Sequence, residues 1–359
     1  MRRRHHGPGP PRIDLRRADA RERRSGQRAA PGVSGMNLLV ANPRRRQLLV
    51  ALTVLAGSGT RFSAPCVAAA VARFPHRIVV LNWELTETLL ALGRAPVGIP
   101  LPDWYASGIV TPPLPPGVAD VGLLYQPNFE VLLALAPDLI IVTPAHAALM
   151  TPLRRIAPTL TLGTYMSAAR PLEVLCDETS AMGRAIGAPL CATELIAAAQ
   201  QEFASVATRI ASTGAHPARA VIVAEALDER HFRVYGAGSL FDDVLARIGV
   251  DNAAHPRDAA SRAASTPWRT SVTGSATVAL ERLFDVPQAD ILLIGPLRAA
   301  VRAALNQSPL WRALPAVREK RVAVLPVIAA FGGLVSMRRF AAAVSIALAT
   351  LEHGGGDLA

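Results

Sequence analysis

Lysine is almost missing from this 359-residue chain, in which Lys320 stands alone. No glycine-rich segment runs into it, so a phosphate loop closing on lysine is excluded. A Gly-x-Ser-x-Gly elbow is missing as well, which removes the usual serine-hydrolase signature of an α/β sheet. Cysteine is limited to Cys66, Cys176 and Cys191. His, Cys and Asp do not recur at metal-ligand spacing, so no metal site of the protein's own is expected. Tryptophan is limited to Trp83, Trp104, Trp268 and Trp311. After the leader, no stretch reaches the roughly 18 uncharged apolar residues of a membrane span. Ala341–Leu351 is shorter, follows Arg338-Arg339, and reads as a core helix.

Charge is present but unevenly placed. The net charge is +11, and residues 1–46 hold thirteen arginines against Asp14, Asp19 and Glu22. The remaining body is close to neutral, which argues against a nucleic-acid partner. Residues 1–35 read as a disordered basic leader, and Met36 is a candidate true start. Residues 36–70 have the anatomy of an export signal: Arg44-Arg45-Arg46, an apolar run from Leu48 to Ala56, then Ala64 and Ala68–Ala70. Arg45-Arg46-Gln47-Leu48-Leu49 resembles the twin-arginine address, with Arg44 where Ser or Thr is common and Leu48 where Phe is common. Cleavage near Ala70 removes Cys66, and Pro65 weakens a lipid-anchor reading of that cysteine. Cys176 and Cys191 then remain, as two free thiols or as one bridge of an exported protein.

The body alternates strand and helix patterns, implying parallel or mixed sheets covered by helices. "RIVVL", "PDLIIV", "RAVIVAEA", "FRVYG", "ADILLIG" and "RVAVLP" read as strands. Helices are expected over Glu84–Leu92, Leu172–Ile186, Ala192–Ser212, Phe241–Ile248 and Ala341–Leu351. "GAGSLF" (Gly236–Phe241) puts Gly-rich backbone before a helix, a weak match to a phosphate cradle that lacks the rest of a dinucleotide fingerprint.

One pattern occurs twice. "NFEVLLALAPDLIIV" (Asn128–Val142) and "ALERLFDVPQADILLIG" (Ala279–Gly295) each set a glutamate in a first helical turn, break, and continue from Asp into an apolar strand. Each copy follows a helix stopped by glycine, at Gly93 and Gly249. Two similar lobes are therefore expected, residues 71–190 and 214–359, joined by a linking helix over residues 191–213. Glu130 and Glu281 admit two readings. An acid in a first turn offsets the helix dipole, with Asn128 as a cap in the first copy only. Alternatively, one acid per lobe suits a partner with two-fold symmetry.

These segments together resemble the periplasmic ferric-hydroxamate siderophore-binding proteins of ABC importers, in the wider class that also binds vitamin B12 and haem. The resemblance runs from about Arg73 to Leu351 and rests on "RIVVLNWELTETLLALG", "PPLPPGVADVGLLYQPNFEVLLALAPDLIIV", "RRIAPTL", "VYGAGSLFDDVLARIGVDNA", "GSATVALERL" and "SPLWRALPAVREKRVAVLP". It implies two α/β lobes with central sheets bridged by one long α-helix, with the ligand in the crevice between them. It implies that Glu130 and Glu281 pair with arginines of an inner-membrane permease dimer. It also implies an arginine at Leu124, a tyrosine at His146 and a tryptophan at Thr273, three departures in the expected pocket. Tyr125, His146 and Trp268 stand near those positions, and Trp83, Trp104 and Tyr105 lie in strand-end loops. Trp83 also suits core packing, and Trp104 or Tyr105 also suits loop cover. The implied function is capture of a ferric siderophore of hydroxamate class, and its delivery to an inner-membrane ABC importer, by a monomeric periplasmic protein without cofactor or catalysis; cobalamin or haem is the alternative cargo.

Overall fold

The computed structural model describes residues 74–212, 219–256, 268–356 and 358. The expectations for the leader, the export signal and Cys66 lie outside the described residues. The first sheet contains β1 (Ile78–Val80), β2 (Gly98–Ile99), β3 (Ala119–Asp120), β6 (Leu139–Val142) and β7 (Thr159–Thr161), in the order β3-β2-β1-β6-β7. Every pairing in it is parallel. A two-stranded ribbon of β4 (Gly122–Leu123) and β5 (Gln126–Pro127) stands beside it.

The second sheet contains β8 (Val221–Ala226), β9 (His231–Tyr235), β10 (Ser275–Ala279), β11 (Asp290–Gly295) and β12 (Val322–Val327), in the order β10-β9-β8-β11-β12. Here β8, β11 and β12 run parallel, whereas β9 is antiparallel to β8 and β10. The cause is local. Residues 227–230 are too few for a crossover, so the chain turns back as a hairpin. Asp228 Oδ1 holds that turn by accepting from Arg230 N and His231 N, each at 2.7 Å.

Helices α1 (Trp83–Ala91), α2 (Pro102–Gly108), α3 (Phe129–Leu135), α4 (Met150–Ile156) and α5 (Pro171–Ala185) belong to the first half. Asn82 begins α1 by accepting from Leu85 N at 2.8 Å. Its end is closed by Gly93 N to Leu90 O and Arg94 N to Leu89 O. The same two bonds recur after α7 (Leu240–Arg247), as Gly249 N to Ala246 O and Val250 N to Leu245 O. Both glycines take positive φ, 78° and 75°. The repeated glycine of the sequence is thus the same helix stop built twice.

The linking helix α6 spans Pro189–Ser212, about 36 Å at 1.5 Å per residue. It begins at proline, three residues ahead of the expected Ala192, because proline fits a first helical turn. Helices α8 (Ala299–Gln307), α9 (Pro309–Ala313), α10 (Pro315–Arg318) and α11 (Leu334–Glu352) complete the second half. The closing helix starts at Leu334 rather than Ala341. Arg338-Arg339 reads as a flank in the sequence, but Arg339 lies inside the helix and donates to Val327 O at 2.9 Å and Ile109 O at 3.2 Å. By length and composition α11 is apolar enough to cross a membrane, yet Met337, Phe340 and Val344 are fully buried in the core. Cys176 and Cys191 are both free thiols.

Layering follows strand parity. Val79, Leu81, Ile140 and Val142 point outward onto α3 and α4. Ile222, Ala224, Ile291 and Leu293 point outward onto α8, α9 and the Leu280–Asp285 turn. The alternate residues, Ile78, Val80, Val221 and Val223 among them, face inward onto one shared core with α1, α5, α6, α7 and α11. The described residues accordingly form one compact unit.

Polar bonds also cross between the halves. Tyr165 Oη donates to Phe331 O at 2.7 Å, and Leu172 N to Asp243 Oδ2 at 3.0 Å. Glu87 of α1 accepts from Ser336 N at 2.8 Å and from Ser336 Oγ at 2.7 Å, at the start of α11. Burial pushes the Glu87 carboxyl up from its ordinary 4.5 to about 7, against the opposing pull of Ser336 and the Gly333 N–H. Below pH 4.5 the acid is protonated whether the chain is folded or not. From 4.5 to about 7 the unfolded chain ionises while the fold keeps the proton, so stability falls as pH rises. Glu87→Gln removes this loss. Thermal and urea unfolding should show the variant matching wild type near pH 4.5 and exceeding it above about pH 7, by on the order of 3 kcal/mol.

Candidate ligand-binding cleft

All strands of the first sheet are parallel, so the loops leaving their carboxyl ends share one edge, the usual ligand position of such sheets. Trp83 and Trp104 meet there, after β1 and β2. Trp83 Nε1 donates to Pro100 O at 2.7 Å. Its ring stacks on Trp104 with centroids 5.8 Å apart. Trp104 is 63% exposed, so the stack presents an open aromatic face.

A second aromatic surface follows β3 and β6. Tyr125 is 59% exposed and lies 5.4 Å from the His146 ring. His146 itself is buried. Thr143 N donates to His146 Nδ1 at 3.2 Å, which leaves the proton on Nε2, and Nε2 donates to Leu124 O at 2.8 Å. Both ring nitrogens are used internally. His146 is therefore a strut that ties the Leu124–Tyr125 loop to the end of β6, and its hydrogen bonds do not point at a ligand. Leu124 is half-buried on the same loop.

Two expected residues stand elsewhere. Tyr105 is fully buried in the core, where its hydroxyl donates to Pro112 O at 2.7 Å and burial raises its phenol well above the usual range. It faces inward because helix α2 turns Tyr105, one residue after Trp104, about 100° further round its axis. Trp268 is buried in the outer core of the second sheet, with Phe232 and Trp311. It does not fill the place left by Thr273.

Thr273 lies at the turn before β10, half-buried, with Oγ1 at 2.8 Å from Ser271 Oγ and 3.4 Å from Ser275 Oγ. The next residue, Gly274, has φ of 71°, and a Cβ there would collide with Gly238 and Ser239 N. Gly236–Gly238 packs on this turn and Ser239 caps α7 through Asp242 N. The glycines of "GAGSLF" thus serve close backbone packing.

Glu130 and Glu281 each occupy the second residue of a helical segment that precedes a topologically matching strand, β6 and β11. The first segment is an α-helix capped by Asn128 at 3.0 Å and 3.2 Å; the second, Leu280–Asp285, is a 3-10 helix without a side-chain cap. Both carboxylates are exposed, and among the described residues neither has an ion-pair partner.

Strand register adds a group that sequence reading passed over. Glu225 of β8 pairs with Arg233 of β9, and Val223 with Tyr235. Arg233 Nη1 donates to Glu225 Oε2 at 2.8 Å, and Tyr235 Oη donates to the same oxygen at 3.2 Å. The only signal in the sequence was a charge within each of two apolar strands. Among the described residues, no three His, Cys, Asp or Glu side chains group as metal ligands.

Two helix-covered sheets joined by a long helix, with exposed aromatic residues at strand carboxyl ends, are the architecture of a substrate-binding protein of transport. The chain belongs to the periplasmic binding protein family, whose pattern matches residues 78–329. It is 30% identical over 268 residues to the iron(3+)-hydroxamate-binding protein FhuD of Escherichia coli, covering 74% of this chain and 84% of that protein. It is 27% identical over 253 residues to the Fe(3+) dicitrate-binding periplasmic protein FecB of the same organism, covering 69% and 76%. Among solved structures, the Fe3+–Desferal-bound siderophore-binding protein FhuD from Vibrio cholerae superposes with a TM-score of 0.68 at 27% identity, covering 76% of this chain and 97% of that one.

Replacing His146 by Leu should leave the Leu124 carbonyl and the Thr143 N–H without their partner. A loss of about 2–3 kcal/mol is expected in urea unfolding, together with a changed Tyr125 environment in near-ultraviolet circular dichroism.

Proposed function

We propose that this chain captures a ferric siderophore, of hydroxamate type, in the cleft and delivers it to an inner-membrane ABC importer from the periplasm. The exposed stack of Trp104 on Trp83 and the exposed ring of Tyr125 on the second aromatic surface carry this reading. The 30% identity to an iron(3+)-hydroxamate-binding relative supports the choice of cargo. In this reading the iron arrives already wrapped by its chelator. The aromatic faces cover the organic scaffold, and no bond of the ligand is made or broken. Glu130 and Glu281, one on each half, dock on basic residues of a permease dimer. Such charges set encounter rate and register more than affinity.

Addition of ferric desferrioxamine should quench tryptophan fluorescence, and Trp104→Ala should raise its Kd about tenfold, the loss of roughly 1.4 kcal/mol of aromatic contact. No quenching by any ferric hydroxamate, with a clear response to cobalamin, haem or ferric dicitrate, would move the cargo to another chelate. Separately, the pair Glu130→Arg and Glu281→Arg should abolish uptake in cells while leaving Kd within about twofold. Uptake that survives the double reversal would return these acids to a helix-dipole role.

A further inference from the structure

We propose that Arg233, aimed by Glu225 and Tyr235, is a ligand-contacting guanidinium that the second sheet presents to the cleft, donating to the iron-coordinating oxygens of a ferric chelate. The inference rests on the cargo class proposed above and adds the residue that recognises its metal centre.

Strand parity fixes the direction. Val221 and Val223 of β8 point into the shared inner core, so Glu225, two residues on, points to the same side. Arg233 and Tyr235 lie directly opposite Glu225 and Val223, so they share that face. Exposure then shows where the face opens. Val221 and Val223 are 0% exposed, whereas the Arg233 and Glu225 side chains are 43% and 40% exposed. An inner face that is dry at one end and wet at the other borders a cleft at the wet end.

The group is also held in place. Tyr235 is buried, packed edge-on against Phe241 at 5.0 Å, which fixes its hydroxyl on Glu225. Glu225 Oε2 takes both the tyrosine proton and Arg233 Nη1. Across the next pairing, Ser275 lies opposite Tyr235 and Thr277 opposite Arg233. Thr273 Oγ1 is 3.4 Å from Ser275 Oγ, so a row of hydroxyls leads from the expected pocket position to the guanidinium. A guanidinium is a planar fork of donors with no acceptor, suited to the clustered oxygen lone pairs of a hydroxamate or carboxylate iron centre. On an outer sheet face the same cross-strand pair would only add a fraction of a kcal/mol to stability.

Titration calorimetry with ferric desferrioxamine B tests this. Arg233→Met should raise Kd about 10- to 100-fold, the worth of a charge-assisted hydrogen bond, with Tm little changed. Arg233→Lys keeps the charge but loses the fork, and should fall between. A purely structural pair would lower Tm and leave Kd unchanged, and a Kd within twofold of wild type for Arg233→Met overturns the proposal. If that variant does not fold, Arg233→Lys decides by the same criterion. If wild type binds no ferric chelate at all, the cargo reading fails, and this inference falls with it.

Discussion

Ile78 and Val80 of one sheet and Val221 and Val223 of the other are buried in the same apolar core, together with the inner helices. That shared core governs what the protein can do. Pulling the halves apart would expose apolar surface at roughly 25 cal/mol per Å². It would also break the bonds of Glu87 to Ser336 and of Tyr165 to Phe331. Large hinge closure is therefore expensive, and the two sheets are held in place without a ligand. Preorganisation of this kind lowers the ordering cost of binding. Its own cost is the buried Glu87 carboxyl, held near the working pH by desolvation.

The two halves expose different kinds of surface, although their topology echoes. In the first sheet all strands run parallel, and loops at their carboxyl ends carry the aromatic residues. In the second, the β8–β9 hairpin replaces a crossover helix. The Arg233 and Glu225 side chains of that hairpin are half-exposed. Apolar rings on one side and a polar strip on the other suit a ligand with an organic scaffold and an oxygen-rich metal centre.

Much of this architecture was legible because local signals agreed. Gly93 and Gly249 each stop a helix through the same pair of backbone bonds, and a glycine before an apolar turn announces that stop. Runs such as "LIIV" and "ILLI" form strands buried on both faces. The site was less legible. Trp104 and Tyr105 are adjacent, yet one is 63% exposed and the other 0%, and no pattern within "PDWYASG" separates them. His146 is an internal strut because Thr143 and Leu124 converge on it, the latter from another strand. Trp268 lies five residues from Thr273 in sequence but packs behind the sheet.

Taken alone, the chain of residues determined what depends on neighbours a few positions away: the central strands and longer helices, the glycine stops, the duplicated glutamate-to-strand unit and the concentration of arginine in residues 1–46. Tertiary structure alone decided which side chains face the cleft. That choice depends on register between strands far apart in sequence, since a shift of one residue turns every side chain to the opposite face. Arg233 is set opposite Glu225 by the register of the hairpin, and both side chains are left half-exposed; these are facts of packing that no short stretch of sequence contains.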